Sequence, residues 1–247
     1  MRLTGDYHTH TNYTHGIGSV EDNVKQAEKI GLKQIAITEH SYKGWNHIKP
    51  GDLPKIKHDI EAIRDKYNVD ILYGIEVNLM SRNGDIDIND EELKDMDLVI
   101  LGCHKQTHVS FVEKLKFVLP NLIFKKPSKK QIERNTQAYL KAMDKHRINI
   151  LAHLGYAGCK VDCEKLAIEC AKRHIYIEFN GKRINFTKSD IEKMLKTDVQ
   201  FIINSDAHHP LNVGRNHRAY NLIEKYKIPL DRIANIDGRT PNFFRGE

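Results

Sequence analysis

The segment Asp6-Tyr7-His8-Thr9-His10 places two imidazoles two residues apart at the end of the first apolar stretch, with His15 five residues further on. Side chains alternate along a strand, so an H-x-H pair at a strand end sends both rings the same way. Two convergent imidazoles are half of a metal site. Similar groups recur along the chain. His40 follows Ile37-Thr38-Glu39, Glu76 follows Gly74-Ile75, and His104 follows Gly102-Cys103. His153 follows Ala152, and Asp206 and His208 close Asn204-Ser205-Asp206-Ala207-His208. One histidine at a strand end is more often a hydrogen-bonded core or surface residue, and recurrence at successive strand ends is what argues for ligation. Nine such residues are too many for one ion and suit two or three, with one carboxylate bridging. His47, His58, His108, His146, His174 and His217 fall in predicted helices or loops and are expected at the surface. His209, beside His208, is within reach of the site mouth.

These residues must be positioned by the elements around them. Predicted strands run over Asp6–His10, Gln34–Thr38, Asp70–Ile75, Leu98–Leu101, Ile148–Ala152, Ile175–Phe179 and Gln200–Asn204. Predicted helices lie between them. One opens at Ser19-Val20-Glu21-Asp22 with a capping-box pattern and stops at Gly31. Others cover about Pro54–Lys66, Lys129–Lys145, Cys163–His174, Lys188–Lys196 and Arg218–Tyr226. A loop with Trp45, Pro50 and Gly51 follows the second strand, and Ser81–Asp85 reads as a small turn. Residues 105–130 show no clear period and are expected to form a mobile loop over the site. Strands that alternate with helices imply a parallel sheet with right-handed crossovers. In a closed parallel barrel every strand C-terminus opens on one face, where distant residues converge.

The 247 residues, 40% apolar and 29% charged, suit one α/β barrel domain spanning 1–247. No apolar run approaches the ~18 residues of a membrane helix. Met1–Asp6 has no apolar signal region, so a cytoplasmic location is expected, with Cys103, Cys159, Cys163 and Cys170 reduced. Cys159 and Cys163 have no second cysteine pair to complete a metal site and read as ordinary thiols. The net charge of +6 points to an anionic substrate more than to a nucleic-acid machine. The Lys-rich run Lys125-Lys126-Pro127-Ser128-Lys129-Lys130 reads as a solvated loop, with contact to a nucleic-acid backbone as the other reading.

Taken together, the motifs at Asp6–His10, Ile37–His40, Gly74–Glu76, Gly102–His104, Ala152-His153 and Asn204–His208 resemble those of the PHP (polymerase and histidinol phosphatase) family. The resemblance spans Asp6 to about Gly214. It implies a distorted (β/α)7 TIM-like barrel with the metal site at the C-terminal ends of the strands. It also implies three ions. His8, His10, Glu76 and Asp206 would hold one, Glu76 with His104 and His153 a second, and His15, His40 and His208 a third. The family has Asp where this chain has Glu39, which keeps the charge beside the metals. Imidazole and carboxylate accept zinc, manganese or iron, so the expected cofactors are two or three divalent transition-metal ions of open identity.

Clustered divalent ions suit hydrolysis of phosphate esters, because they lower the pKa of water and neutralise phosphoryl oxygens. The expected enzyme is a metal-dependent phosphoric monoester hydrolase, of the kind that acts on histidinol phosphate in histidine biosynthesis, using a metal-activated hydroxide. Glu76, Asp206 and His208 are the expected catalytic residues. Arg183, Arg215 and Lys105, each close behind a strand end, are the expected substrate-binding cations. The partner is then a small phosphorylated molecule, with no membrane and with the oligomeric state open. The alternatives are a nuclease acting on nucleic-acid ends and a metal-binding module without activity.

Overall fold

A computed structural model describes residues 1–44, 46–105, 107–123 and 127–243. Trp45 and the Lys125-Lys126 part of the basic run lie outside the described residues. Seven parallel strands follow one another in sequence order: β1 Gly5–Asp6, β2 Gln34–His40, β3 Asp70–Asn78, β4 Leu98–Gly102, β5 Ile150–Leu151, β6 Tyr176–Asn180 and β7 Phe201–Asn204. The circle closes just past the ends of β1 and β7. There the His10 N–H donates to the Ala207 carbonyl at 2.8 Å, and the Ala207 N–H donates to His8. The result is a distorted (β/α)7 barrel.

The helices are α1 Val20–Lys29, α2 Asp52–Ile63, α3 Asp90–Leu93, α4 Phe111–Glu113, α5 Leu119–Ile123, α6 Lys129–Lys145, α7 Cys163–Lys172, α8 Lys188–Met194 and α9 His217–Tyr226. Ser19 and Asp22 cap α1 reciprocally, and Gly31 follows its end at φ 75°. Ser128 caps α6 by accepting from the Gln131 N–H. Lys129 and Lys130 follow it as exposed residues of the first turn.

Period-two alternation splits the core into two layers. Ile35, Ile71, Ile75, Val99, Leu101, Ile177 and Ile203 face the helices. Tyr7, Ala36, Leu72, Leu98, Ile100, Ile150 and Ile202 fill the barrel, with Phe243 packed edge-on against Tyr7. One pleat further along the same inner face come Gly74 and then Glu76. The metal candidates therefore sit directly above an apolar plug.

Three expectations are corrected. The first strand pairs only over Gly5–Asp6, and beyond it the chain makes the single bridge Thr9 to Ala207. The fifth strand shrinks to two residues, because His153 turns to φ 29° straight after Ala152. Residues 111–123 are helical, with a π-type turn over Lys114–Val118 between α4 and α5. Phe117 is buried there while Phe111, Leu115 and Ile123 are exposed, so no clean apolar stripe marks the segment as a helix.

Candidate metal centre

Glu76 lies at the middle of the barrel mouth, fully buried. His40 Nδ1 and His153 Nε2 lie 2.8 and 2.9 Å from its oxygens, His8 Nε2 and His104 Nε2 lie at 3.3 Å, and His10 Nε2 lies at 3.6 Å. Asp206 stands opposite, with Oδ1 3.7 Å from His10 Nε2 and 3.3 Å from His208 Nδ1. The His15 ring centroid is 4.0 Å from that of His208 and 5.0 Å from that of His40. All nine strand-end candidates are thus brought to one place. Four triads have donor atoms mutually close enough to share an ion: His8/His10/Glu76, His40/Glu76/His104, His8/His153/Asp206 and His10/His40/His208. The last group contains His10 where the family resemblance implied His15.

The donor set fits metal ions for a second reason. Both ring nitrogens of His10 and Nδ1 of His153 are buried and make no hydrogen bond, and His8 Nε2 and Glu76 Oε2 are buried with each other and His40 nearby, in poor alignment. Buried polar atoms are rarely left unpaired, and such a cluster of them calls for a further partner such as a cation. The electrostatics agree. Burial would raise the Glu76 carboxyl, but His8, His104 and His40 hold it well below the usual range. Burial would likewise raise Asp206, and His8, Lys182 and His208 bring it to about 2. Burial and the neighbouring imidazoles lower His10, and burial, His208 and His40 bring His15 to about 3. Both carboxylates are therefore anionic and His10, His15 and His208 are neutral, as ligation requires. Glu76 raises His8 and His104 against burial, so without an ion these two rings carry the balancing positive charge.

The strands hold these groups by specific means. Gly102, on the inner face of β4, has no Cβ because one would lie 2.7 Å from His104, 2.8 Å from Glu76 and 3.0 Å from His153. His153 and Asp206 adopt φ of 29° and 54°, a left-handed turn that is costly without glycine and recurs at functional sites. Glu39 is buried beside His10 and accepts from the Thr11 N–H at 2.7 Å and the Thr11 hydroxyl at 2.5 Å. Burial lifts its carboxyl to about 7. Glu39 thus stands 4.0 Å from His10 Nδ1, at the edge of the donor cluster.

Three side chains that contact the candidate donors are missing from the sequence reading. Glu178 is fully buried within β6. It accepts from His8 Nδ1 at 2.7 Å, from the His153 N–H at 2.9 Å and from the Asn180 and Asn204 amides. An acid inside the apolar strand Tyr-Ile-Glu-Phe-Asn was its one available signal. Asn78 Oδ1 orients His104 Nδ1 at 2.7 Å. Lys182 lies 3.1 Å from His208 Nδ1 and 3.7 Å from Asp206 Oδ1.

Of the three predicted substrate-binding cations, Lys105 and Arg183 line the cavity above the cluster, about 250 Å³ in volume. Arg183 lies 3.5 Å from Asp206 and stacks over the Tyr156 ring at 4.4 Å. Arg215 does not line this cavity but an adjoining one. His209 caps a short turn by accepting from the Leu211 N–H. His58, His108, His174 and His217 are exposed, and His47 and His146 half-buried.

Fold and donor set define a metal-dependent hydrolase of phosphate esters. The PHP domain model matches residues 6–182, and the chain belongs to that family. It is 30% identical to a "probable phosphatase" of Thermoanaerobacter sp., over 96% of this chain and 92% of that protein. Its fold is similar to that of histidinol phosphate phosphatase from Lactococcus lactis, solved with zinc, L-histidinol and phosphate, at TM-score 0.60 and 18% identity over 91% and 94% of the two chains. A chain of archaeal ribonuclease P with mature tRNA is also similar, at TM-score 0.51 and 13% identity over 92% and 84%.

Proposed function

We propose that this enzyme is a single-domain phosphatase of small phosphomonoesters, with histidinol phosphate as the first compound to try, working in the cytoplasm with two or three ions of zinc, manganese or iron. The observation that carries the reading is the cavity above Glu76, lined by the candidate donors His40, His104, His153, Asp206 and His208 and by the cations Lys105, Lys182 and Arg183. Metal donors and cations that share one cavity suit a bound phosphoryl group. Four buried, unpaired cysteines support a reducing compartment. Among the described residues, no helix is long and apolar enough to cross a membrane.

His8, His10, His15, His40, Glu76, His104, His153, Asp206 and His208 would hold the ions. When bound, the ions lower the pKa of water and neutralise phosphoryl charge. The chain's own side chains do the rest. Glu76 keeps five imidazoles in register from the centre. Arg183, braced by Asp206 and Tyr156, presents its planar fork to the non-bridging phosphoryl oxygens. Lys182 and Lys105 add charge where the leaving oxygen becomes negative.

The test measures turnover of histidinol phosphate, an aryl phosphate and a single-stranded oligonucleotide with added manganese or zinc. Cleavage of either monoester faster than the oligonucleotide is expected. The reverse order would replace the phosphatase reading with a nuclease, and a metal-replete chain that cleaves none of the three would leave a metal-binding module. Arg183→Ala should slow the monoesters by about ten- to a hundredfold, the loss of one charge-assisted phosphate contact, with metal content unchanged.

A further inference from the structure

The metal cavity has a neighbour. Lys182, Asp206 and His208 also line a second, adjoining cavity of about 310 Å³, together with Asn212, Arg215 and Arg218. Asp206 is the one acid on this lining. It is already answered by Lys182 at 3.7 Å and Arg183 at 3.5 Å. Arg215 donates to Asn212 Oδ1 at 3.2 Å, and among the described residues neither Arg215 nor Arg218 has a carboxylate at ion-pair distance. Two unneutralised guanidinium groups in a concave site raise the local concentration of anions. Helix α9 adds to this field, because it begins at His217 with no side-chain cap on its first N–H groups.

The second cavity is tied rigidly to the first. The Gly214 N–H donates to Asp6 Oδ2 at 2.8 Å, which anchors the Arg215 loop to the end of β1. Gly181 allows that loop to close on β6, since a Cβ there would lie 2.3 Å from the Arg215 carbonyl oxygen. These contacts anchor the Arg215 loop beside the metal cavity, as two adjoining subsites for one small molecule would need.

We propose that this second cavity binds a second phosphoryl group of the substrate, so that the preferred substrates are small bisphosphorylated molecules. One phosphate is hydrolysed at the metal centre, and the other is held, uncleaved, by Arg215 and Arg218. The inference rests on the phosphomonoesterase reading above and narrows it. Histidinol phosphate carries an ammonium group in place of a second anion and gains nothing from these arginines.

The experiment uses the metal-loaded full chain and its Arg218→Ala and Arg218→Lys variants. It compares kcat/KM for fructose 1,6-bisphosphate with fructose 6-phosphate, and for ribose 1,5-bisphosphate with ribose 5-phosphate, and measures binding of both bisphosphates by calorimetry. We expect at least a tenfold preference for the bisphosphate in one pair. That preference should shrink about tenfold in Arg218→Ala through KM and be partly kept in Arg218→Lys. No preference in either pair, or a preference that survives Arg218→Ala, overturns the inference. If no monoester is cleaved at all, the phosphatase reading fails and binding decides: bisphosphate binding that is lost in Arg218→Ala upholds the second subsite, and binding that is absent or indifferent to Arg218 rejects it.

Discussion

Glu76 has five imidazoles within 3.6 Å of its two oxygens, more than any hydrogen-bonding scheme for a carboxylate needs. Glu76→Gln keeps its shape and removes its charge. Metal content should fall and turnover should drop to background, while the cooperative unfolding transition persists. Full metal content with normal turnover would take the bridging role away from Glu76. Glu178 offers a finer test, because it touches His8 and the His153 backbone and is none of the nine candidate donors. Glu178→Gln should weaken metal affinity by about 10–100-fold, the usual effect of losing the group that orients a ligating histidine. Competition with a chromophoric chelator reads this directly, and an unchanged affinity would make Glu178 a plain core acid. Eight of the nine candidate donors could be read from the sequence because each stands at or just beyond the end of a predicted strand, and His15 because it follows the first such pair closely. Glu178 could not, because the histidine it orients lies 170 residues away and only the closed barrel brings them together.

At the scale of elements, β4 shows how a strand can shape a site without touching a metal. Gly102 faces inward at the position where any side chain would strike Glu76, His104 and His153. Gly102→Ala should lower metal content and activity, with a stability cost of about 1–3 kcal/mol typical of overpacking. Elemental analysis beside a denaturant titration checks it, and a variant with full metal content and unchanged midpoint would show that the strand can yield. Helices α1 and α6 were readable because caps and an apolar stripe coincide in each. The core of β2 was readable as an apolar run between turn signals. The ends were less readable. β3 runs on to Asn78 because Asn78 pairs with Gly102 of β4, a contact no local pattern announces. Helical residues 111–123 escaped because their large apolar side chains are mostly exposed, so burial does not impose the period that a sequence reading relies on.

For the whole molecule, the buried thiols and phenols make a prediction that does not depend on the metals. Cys163 is pushed up to about 12 by burial, and burial also lifts Cys170, Tyr73 and Tyr139 above their ordinary values. All four are neutral in the folded chain at neutral pH. A group whose folded pKa lies above its unfolded one contributes stability that is complete below the unfolded pKa and is lost as pH rises toward the folded pKa. For the cysteines that loss begins near the ordinary thiol value of 9.0, and for the tyrosines near 10.0. Between those values and the folded ones the unfolded chain sheds protons that the folded chain keeps. Each such group then removes up to about 1.4 kcal/mol per pH unit. Urea unfolding with the metal load held constant should show a midpoint that is level up to about pH 9 and falls steadily from there to pH 11. The metal load must be held constant because ions that bind only the folded chain add their own stabilisation, about 2.7 kcal/mol per site at a hundredfold excess over Kd. Cys163→Ala should make the first part of the fall shallower, since it removes one of the thiols that the unfolded chain ionises from about pH 9. A midpoint that stays level to pH 11 would mean that these thiols and phenols ionise in the folded chain as easily as in water, and that the layer between strands and helices is too loosely packed to keep water from them.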